Sequence, residues 1–395
     1  MNTDSRPLKL AIVAGEESGD ILGADLVDAL RKQTDRLVDI IGVGGDHLAK
    51  RGLKTFFDPQ EIAIMGLSAV LKSLPSLVLR IRQISREIVA ARPDCVLLID
   101  SPDFTHRVAK KIRAANPSIP IVKYVAPSVW AWRPQRAKAM RAYVDHVLTV
   151  LPFEVEVMKR LHGPASTYVG HRLSSYAPIV TAQRSQKSLE NQRWNDDARR
   201  LLLLPGSRKS EVQMLMEPFG KTVEELAQRF NKLEVILPTL PRIEELVREA
   251  SRDWAVKPII VVGEEAKWEA FGKVDAALAA SGTVSLELAL SRIPTVLCYK
   301  ADWFARQFLI SKITIWSAAL PNIVVDEPVV PELFNEFVRP GMMARQVERL
   351  MRKGAARQAQ LDGFDKVAAL MQTERPSGEI GAKILLDLAE NGRNR

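Results

Sequence analysis

Short apolar runs alternate with amphipathic stretches along most of this 395-residue chain, and this rhythm restricts the fold more than any other feature. In the first half the amphipathic stretches carry apolar residues at helical spacing, as in residues 20–31. The apolar runs between them predict strands at 8–14, 38–43, 95–99, 119–125 and 146–150. Strands and helices in this alternation form a parallel sheet with crossover helices. The sequence therefore predicts a doubly wound α/β domain in the first half.

A second series of the same kind follows a polar, turn-rich segment at residues 174–198. Its predicted strands lie at 199–204, 233–237, 258–262, 276–280 and 295–299. We therefore predict two facing Rossmann-like domains, followed by helices. Such folds bind ligands at the carboxyl ends of their strands, so we expect an active site in a cleft between the domains. The expected division is a first domain at 1–173, a linker at 174–198, a second domain at 199–340 and C-terminal helices at 341–395.

Composition excludes several classes of protein. Apolar residues make up 47% of the chain and charged residues 26%, which is typical of soluble globular proteins. No apolar stretch reaches the ~18 residues of a membrane span, and the first ten residues carry no signal-peptide core. Cys95 and Cys298 each lie in an apolar run and lack zinc-site spacing. We expect a reduced, cytoplasmic protein with buried thiols and no metal.

The net charge of +9 is concentrated in one window of the first half. Residues 72–141 contain 14 basic and 4 acidic side chains. A local basic surface indicates phosphate, nucleic acid or an anionic membrane as a partner, or is simply solvated. Residues 66–86 mix leucines with arginines, which suits a helix at a membrane interface or one packed on a core. Nucleic acid is the poorer alternative, because no recognition module is present.

Loops with small and charged residues follow two predicted strands of the first half. Gly15, Glu16 and Ser18 lie after the first strand, where the next helix presents free N–H groups to a ligand. Asp100 ends a later strand, where a carboxylate can face a ligand and accept a proton from a hydroxyl. Both loops are also compatible with ordinary capped turns, and Asp103 is better interpreted as a helix cap.

Aromatic and basic residues lie together in the segment Tyr124–Arg133. Arg133 follows Trp130 and Trp132, and cations among rings can stack on a sugar or base or lie at a lipid surface. Packing of the tryptophans under the next helix is the alternative. His171 precedes the predicted linker and is a candidate acid or base, or a hydrogen-bonded spacer.

A turn after the first strand of the second half suits diphosphate binding. Gly206 and Ser207 form the turn, and Arg208 can bind a diphosphate through two parallel hydrogen bonds. The segment lacks the glycine–lysine pattern of a Walker loop. A surface turn with a solvated Arg208 is the alternative.

A second turn lies between a later strand and its helix. Ser281, Gly282 and Thr283 occupy a position where N–H groups meet phosphate oxygens. Glu287, one helical turn later, can accept hydrogen bonds from both hydroxyls of a ribose, or can face solvent. The sequence has no Asp-x-Asp pair of the kind that holds a diphosphate through a metal ion. Cations and helix termini would therefore stabilise the leaving group.

Seven segments occur in a characteristic order along the chain: Val13–Asp20, Ile99–Phe104, Tyr124–Arg133, Gly170-His171, Leu204–Arg208, Ala280–Thr283 and Leu320–Asn322. In this they resemble the lipid-A-disaccharide synthases, the bacterial glycosyltransferases of lipopolysaccharide biosynthesis. The resemblance extends from residue 8 to beyond 340, and is weakest in the linker and the C-terminal helices. Where the family has Gly-Glu-Thr-Ser-Gly-Asp, Glu17 replaces the threonine, so Glu16 is the matching carboxylate.

This resemblance implies a GT-B fold and an inverting transfer without a cofactor. The 2,3-diacylglucosamine unit of UDP-2,3-diacylglucosamine would move to the 6-hydroxyl of 2,3-diacylglucosamine 1-phosphate (lipid X), giving a β-1,6 disaccharide 1-phosphate and UDP. Inversion requires a general base and no covalent enzyme intermediate. It also implies a peripheral location at the anionic inner membrane, and it leaves a homodimer open.

The same resemblance, joined to the motifs, assigns a role to each candidate residue. Asp100 is the expected base, and the expected ligands of the diphosphate and the ribose are those of the two turns above. Glu16, Ser18 and Asn322 are expected to position sugar or acceptor. Further substrate contacts are expected from Gly15, Arg133 and His171.

Two other functions remain alternatives at this point. A UDP-N-acetylglucosamine 2-epimerase would have a similar second half, because it also binds UDP, but it would need no lipid-facing surface. A non-catalytic nucleotide- or lipid-binding protein would bind both substrates and release no UDP.

Overall fold

The computed structural model describes residues 6–57, 70–195, 197–300 and 315–393. Its contacts divide the chain into two units. The first unit comprises residues 1–172 and 373–395, and the second comprises residues 173–372. Each has its own parallel sheet and its own hydrophobic core.

The first unit is built on a seven-stranded sheet with the order β3-β2-β1-β4-β5-β6-β7, in which every pair is parallel. The central strands are nearly all buried, because helices cover both faces of a doubly wound sheet. The strands are β1 Leu8–Ala14, β2 Val38–Val43, β3 Lys54–Thr55, β4 Cys95–Ile99, β5 Ile121–Tyr124, β6 His146–Thr149 and β7 Ala165–Tyr168. The helices are α1 Glu17–Gln33, α2 Asp46–Ala49, α3 Val70–Ala91, α4 Pro102–Ala115, α5 Gln135–Met140, α6 Glu154–Arg160 and, from the C-terminus, α15 Ser377–Arg393.

A six-stranded parallel sheet with the order β10-β9-β8-β11-β12-β13 forms the second unit. Its strands are β8 Ala198–Leu204, β9 Lys232–Thr239, β10 Ile259–Val262, β11 Ala276–Ala280, β12 Thr295–Tyr299 and β13 Glu332–Phe334. Its helices are α7 Ala177–Leu189, α8 Lys209–Ala227, α9 Glu244–Ala250, α10 Glu264–Phe271, α11 Val284–Leu290, α12 Leu320–Val325, α13 Pro340–Met351 and α14 Ala355–Leu370. Short 3-10 turns occupy Arg172–Ser175, Arg193–Asn195, Pro241–Ile243 and Asn335–Phe337.

Each sheet has one point at which the strand order reverses. In the first sheet this switch point lies between β1 and β4, where Ala14 pairs with Ile99. In the second sheet it lies between β8 and β11, where Leu204 pairs with Ala279. Because helices leave such a point on opposite faces, a crevice opens at the carboxyl ends of the two strands. The fold therefore provides one ligand position in each unit.

The segment expected as a linker belongs to the second unit, and the expected C-terminal helices are divided between the two units. Helix α7 lies within 174–198, where Gln186 Nε2 donates to the carbonyls of Phe271 and Val274. Arg193 forms a buried ion pair with Asp275. These buried polar contacts tie the segment to the second unit. Helix α15 instead packs against α1 and belongs to the first unit. The apolar pattern of a helix does not show which element the helix packs against, so the sequence could not assign α15 to a unit.

Candidate functional site

A cavity of about 460 Å³ opens at the switch point of the second sheet. We call it the switch-point cavity. Its walls come from the loops and helix starts that follow β8, β9, β10 and β11. Seven residues predicted to bind substrate line it: Gly206, Ser207, Arg208, Ser281, Gly282, Thr283 and Glu287. The volume is within the range of small-molecule sites, which run from ~300 to ~1,000 Å³. The structure thus brings together two turns that lie some seventy residues apart in the sequence.

Glu211 organises the first of these turns. Gly206 has φ +113°, and a Cβ atom at this position would collide with the Glu211 carboxylate. That carboxylate accepts hydrogen bonds from the amides of Ser207 (3.0 Å) and Arg208 (3.1 Å) and pairs with the Arg208 guanidinium (3.0 Å). The side chain of Arg208 is 78% exposed. Exposed ion pairs contribute little stability, so Arg208 can exchange this partner for a ligand at small cost.

Ser281, Gly282 and Thr283 form the opposite wall. Gly282 and Thr283 are exposed, and nothing lies within 4 Å of where a Cβ of Gly282 would be. Ser281 is anchored at both ends: its amide donates to the Cys298 carbonyl (2.9 Å) and its hydroxyl to the Ala318 carbonyl (3.3 Å). This wall therefore combines a fixed backbone with an open approach for a ligand.

Two charged residues that the sequence did not single out complete the cavity. Lys267 Nζ lies 2.6 Å from Glu287 Oε2, and both side chains are mostly buried. The same ammonium lies 4.4 Å from the Trp268 ring centroid. Glu264 accepts hydrogen bonds from Trp268 Nε1 (3.2 Å) and the Tyr176 hydroxyl (3.3 Å). The signal was available: Gly263-Glu264 ends a predicted strand, as the other two turns do.

Asn322 lies away from the residues that line this cavity. It is 1% exposed, and its amide donates to Ser317 Oγ (3.2 Å), Glu332 Oε2 (3.2 Å) and the Val330 carbonyl (3.0 Å). Its own oxygen accepts from the Val330 amide (2.7 Å). Glu332 also accepts from the amide of Ala318, the residue whose carbonyl binds Ser281. In this structure Asn322 supports the wall of the cavity, and a direct contact with a sugar stays a prediction.

The first unit places its predicted residues around its own switch point. Gly15 is buried, whereas Glu16, Glu17 and Ser18 are exposed at the start of α1. Ser101 Oγ donates to Glu16 Oε1 (3.4 Å), which joins the loops that follow β1 and β4.

Asp20, in the same loop motif, has a structural task. Its carboxylate accepts from the amides of Gly45 (2.7 Å), His47 (2.8 Å) and Leu48 (3.2 Å), and it is 3% exposed. It thereby fixes the turn after β2. A buried carboxylate whose oxygens hold three backbone amides is unavailable for binding substrate.

Asp100 ends β4 on a left-handed turn. Its φ is 48° and that of Ser101 is 40°, a conformation that L-residues other than Gly, Asn and Asp rarely adopt. The side chain is half-buried, and among the described residues no group donates a hydrogen bond to its carboxylate. An ionised carboxylate without a bound donor can accept a proton from a hydroxyl that reaches it.

The two tryptophans near Arg133 have different surroundings. Trp130 packs edge-on against Phe153 and donates to the buried carboxylate of Glu154 (3.2 Å). Burial raises the pKa of Glu154 to about 7, although the hydrogen bond from Trp130 acts to lower it. Arg133 is exposed, and its guanidinium lies 4.1 Å from the Trp132 ring centroid. The Trp132–Arg133 pair therefore presents a surface that a substrate can reach.

His171 follows β7 in the first unit, and burial lowers its pKa to about 4, aided by the charge of Arg172. It is therefore a neutral imidazole at physiological pH, able to donate or accept a hydrogen bond. Among the described residues, no cluster of three or more His, Cys, Asp or Glu has the geometry of a metal site. The described helices include none that is both long and apolar enough to span a membrane.

Comparison with known proteins decides the family. A family model described as "Lipid-A-disaccharide synthetase" matches residues 10–381. The chain belongs to the lipid-A-disaccharide synthase family. The lipid-A-disaccharide synthase of Nitrobacter winogradskyi is 43% identical over 392 residues, covering 98% of this chain and 97% of the relative. That of Rhodopseudomonas palustris strain HaA2 is 45% identical over 381 residues, covering 95% of each. The chain is thus a glycosyltransferase of lipid A biosynthesis.

Solved structures of similar fold are more distant in sequence. The S. aureus MnaA–UDP co-structure has a TM-score of 0.61 at 12% identity, covering 98% of this chain and 97% of that one. MurG of Acinetobacter baumannii has a TM-score of 0.55 at 13% identity, covering 98% and 100%. The UDP-GlcNAc 2-epimerase of Neisseria meningitidis has a TM-score of 0.57 at 13% identity, covering 97% and 100%. These likenesses confirm the predicted GT-B class of fold. The epimerase alternative is a structural relative only.

Proposed function

We propose that this glycosyltransferase moves 2,3-diacylglucosamine from UDP-2,3-diacylglucosamine to the 6-hydroxyl of lipid X. The observation that carries the proposal is the placement of one set of candidate residues at each of the two switch points. The switch-point cavity of the second unit suits a nucleotide diphosphate, and the strand end of the first unit carries a carboxylate free to act as a base.

In the cavity, Arg208 and the Ser281–Thr283 turn would hold the diphosphate, and Glu287 would hold the ribose. The ammonium of Lys267 orients the Glu287 carboxylate, so that its oxygens would be held in place to accept hydrogen bonds from the ribose hydroxyls. Proteins of similar fold support a nucleotide here, since one is a co-structure with UDP and another is bound to UDP-GlcNAc. To reach a phosphate, the Arg208 guanidinium would leave Glu211, so ligand binding would exchange one anionic partner for another.

At the strand end, Asp100 would remove the proton of the 6-hydroxyl. The hydroxyl oxygen attacks the anomeric carbon, the bond from that carbon to the diphosphate oxygen breaks, and UDP leaves with the electron pair. The α-linked donor then gives a β-linked product in one displacement. Glu16, whose carboxylate accepts a hydrogen bond from the Ser101 hydroxyl beside Asp100, would bind a sugar hydroxyl.

The experiment that tests this function supplies donor and acceptor together. We expect UDP and a disaccharide 1-phosphate to form in equal amounts, with the product identified by mass. Binding of both substrates without UDP release would contradict a transferase. Formation of a 2-epimer from UDP-N-acetylglucosamine alone would support the epimerase instead.

We also propose that α3 contacts an anionic membrane surface. One face of this helix is in the core through Ile81, Ile84 and Ile88. The opposite face exposes Val78 (37%) and Leu79 (62%) beside the basic residues Arg82 and Arg86. Apolar side chains flanked by arginines combine insertion at the interface with attraction to anionic lipid.

Sedimentation with anionic vesicles tests this surface. L79S should reduce the bound fraction, and high salt should reduce it further. Leu37 is 79% exposed elsewhere in the first unit, so L37S is the matched control and should bind like the wild type. Equal loss in both variants, or no binding of the wild type at either ionic strength, would reject the proposal.

A further inference from the structure

The turn that carries Asp100 is held in an unusual conformation from inside the first unit. Asp100 and Ser101 are consecutive residues with positive φ, and neither is a glycine. Such a conformation persists only where the surrounding structure determines it. The amide of Asp100 donates to the Tyr124 carbonyl (3.1 Å), which fixes one end of the peptide. Its carbonyl end is fixed by two side chains.

Lys123 is the first of these side chains. It is fully buried on β5, and its Nζ donates to the Asp100 carbonyl (2.5 Å) and, at longer range, to the Tyr124 carbonyl (3.4 Å). Burial lowers the pKa of Lys123 to about 7, and the charge of Asp100 opposes that shift. An ammonium is rarely buried without a carboxylate partner. Here the hydrogen bonds of Lys123 Nζ go to main-chain carbonyls, that of Asp100 first among them.

Thr105 is the second. It is fully buried in the first turn of α4, and its hydroxyl lies 2.9 Å from the Asp100 carbonyl oxygen and 3.0 Å from that of Ser101. The carbonyls of Asp100 and Ser101 therefore both accept hydrogen bonds from buried side chains, while the carboxylate of Asp100 remains without a donor among the described residues. Neither Lys123 nor Thr105 lines the switch-point cavity.

We propose that Lys123 and Thr105 are positioning residues for the transfer reaction: by binding the main-chain oxygens of the Asp100–Ser101 turn, they aim the Asp100 carboxylate at the acceptor hydroxyl. This rests on the proposed role of Asp100 as the base. A general base works only within hydrogen-bond reach of the proton it removes. Loss of either support should let the turn relax, so the carboxylate would move while both substrates still bind.

The variants T105V and T105S test this in the full-length enzyme. Valine has the shape of threonine without the hydroxyl, so T105V should lower kcat about 10- to 100-fold, the cost of a misplacement of about 1 Å. The KM values for donor and acceptor should stay within about twofold of the wild type, because the turn does not hold either substrate. T105S keeps the hydroxyl and should restore most of kcat. K123M should resemble T105V in its split between kcat and KM.

Thr222 supplies a matched control in the second unit. It is also fully buried, and its hydroxyl donates to a carbonyl four residues earlier, that of Pro218 (2.7 Å). T222V should therefore lose similar stability and keep kcat. If T105V and T222V reduce kcat equally, or T105S is no better than T105V, the inference is wrong. If K123M does not fold, the T105V and T105S pair decides alone.

A variant of Asp100 separates this inference from the proposed function. In a D100N background, T105V should cause no further loss of kcat, because the group that it positions is already disabled. If D100N itself keeps wild-type turnover, Asp100 is not the base and the inference fails with it. If D100N loses turnover and T105V does not, the base stands and only the positioning role is overturned.

Discussion

The two switch points share a topology and differ in how they are supported. In the first unit, Asp100 lies on a left-handed turn that Lys123 and Thr105 hold from the buried side. In the second unit, the charged groups of the cavity pair with one another, the exposed Arg208 with Glu211 and the mostly buried Lys267 with Glu287. A group supported from the core keeps a fixed place, whereas an exposed paired charge such as Arg208 can exchange its partner for a ligand.

This difference suits a division of tasks between chemistry and binding. A general base that moves by about 1 Å can lose up to ~100-fold in rate, so buried support is valuable there. A nucleotide diphosphate brings its own charge, and an exposed arginine can follow it. The comparison predicts that damage to the first switch point lowers turnover, and that damage to the second lowers nucleotide affinity.

The largest effect is expected from D100N. Loss of the general base should lower turnover at least ~100-fold, as is usual for such groups. Asp103 offers a control three residues away, since its exposed carboxylate pairs with Arg136. D103N should keep turnover close to the wild type. Steady-state UDP release measures both, and equal losses would remove the special role of Asp100.

A smaller effect, on binding, is expected from R208A. Hydrogen bonds to charged groups contribute ~1.5–3 kcal/mol, so UDP affinity should fall about tenfold, the lower part of that range, because Arg208 is exposed. Arg248 pairs with Glu244 on an exposed helix face outside the cavity. R248A should leave UDP affinity unchanged by calorimetry. Unchanged affinity in R208A would mean that the diphosphate lies elsewhere.

Glu287 should control discrimination of the sugar of the nucleotide. If its carboxylate accepts from the ribose hydroxyls, the wild type should bind UDP a few-fold more tightly than 2′-deoxy-UDP, which is worth ~1 kcal/mol. E287Q should bind the two nucleotides nearly alike, and E265Q, at a neighbouring exposed position, should discriminate like the wild type. Preserved discrimination in E287Q would exclude this contact.

The smallest expected effect concerns acid stability of the first unit. His106 is buried behind the Asp100 turn, and burial lowers its pKa to about 3, aided by the charges of Lys123 and Arg136. The unfolded chain therefore takes up this proton below about pH 6.5, and the folded chain does so only near pH 3. His106 therefore does not lower the free energy of unfolding above pH 6.5, but lowers it progressively as the pH falls from about 6.5 towards 3.

Calorimetric Tm values between pH 7 and pH 4 test this titration. The wild type should lose Tm more steeply than H106F, which has no imidazole to protonate. His162 is exposed in the same unit, so H162N should follow the wild-type slope. Parallel slopes for the wild type and H106F would contradict the lowered pKa of His106.

Sequence alone predicted the interior of both sheets. The predicted strands at 95–99 and 276–280 have the bounds of β4 and β11, because a continuous apolar run between turn residues is buried as a central strand. The edge strands β3, β7 and β13 escaped prediction. Lys54–Thr55 is short and exposed, and Glu332–Phe334 carries only one buried side chain, so neither has an apolar run. Helix α7 was hidden by its polar composition.

The candidate sites were predicted only as far as strand ends allow. The loops of Asp100 and Arg208 were predicted as site loops because each follows a buried strand, and the carboxyl ends of adjacent parallel strands meet at one edge of the sheet. The partners of these residues depend on tertiary contacts. Nothing in the sequence near Arg208 shows that Glu211 fills the turn, and nothing near Asn322 shows that its amide is buried. Lys123 sits in a strand that sequence reads as core, so its role at Asp100 emerged only from the fold.

The UDP affinity of D100N tests the division between the two switch points most directly. Our account predicts a Kd for UDP within about twofold of the wild type, in a variant whose turnover has fallen at least ~100-fold. A loss of UDP affinity that parallels the loss of turnover would contradict it, because the strand end of the first unit would then serve binding of the nucleotide and not the proton transfer.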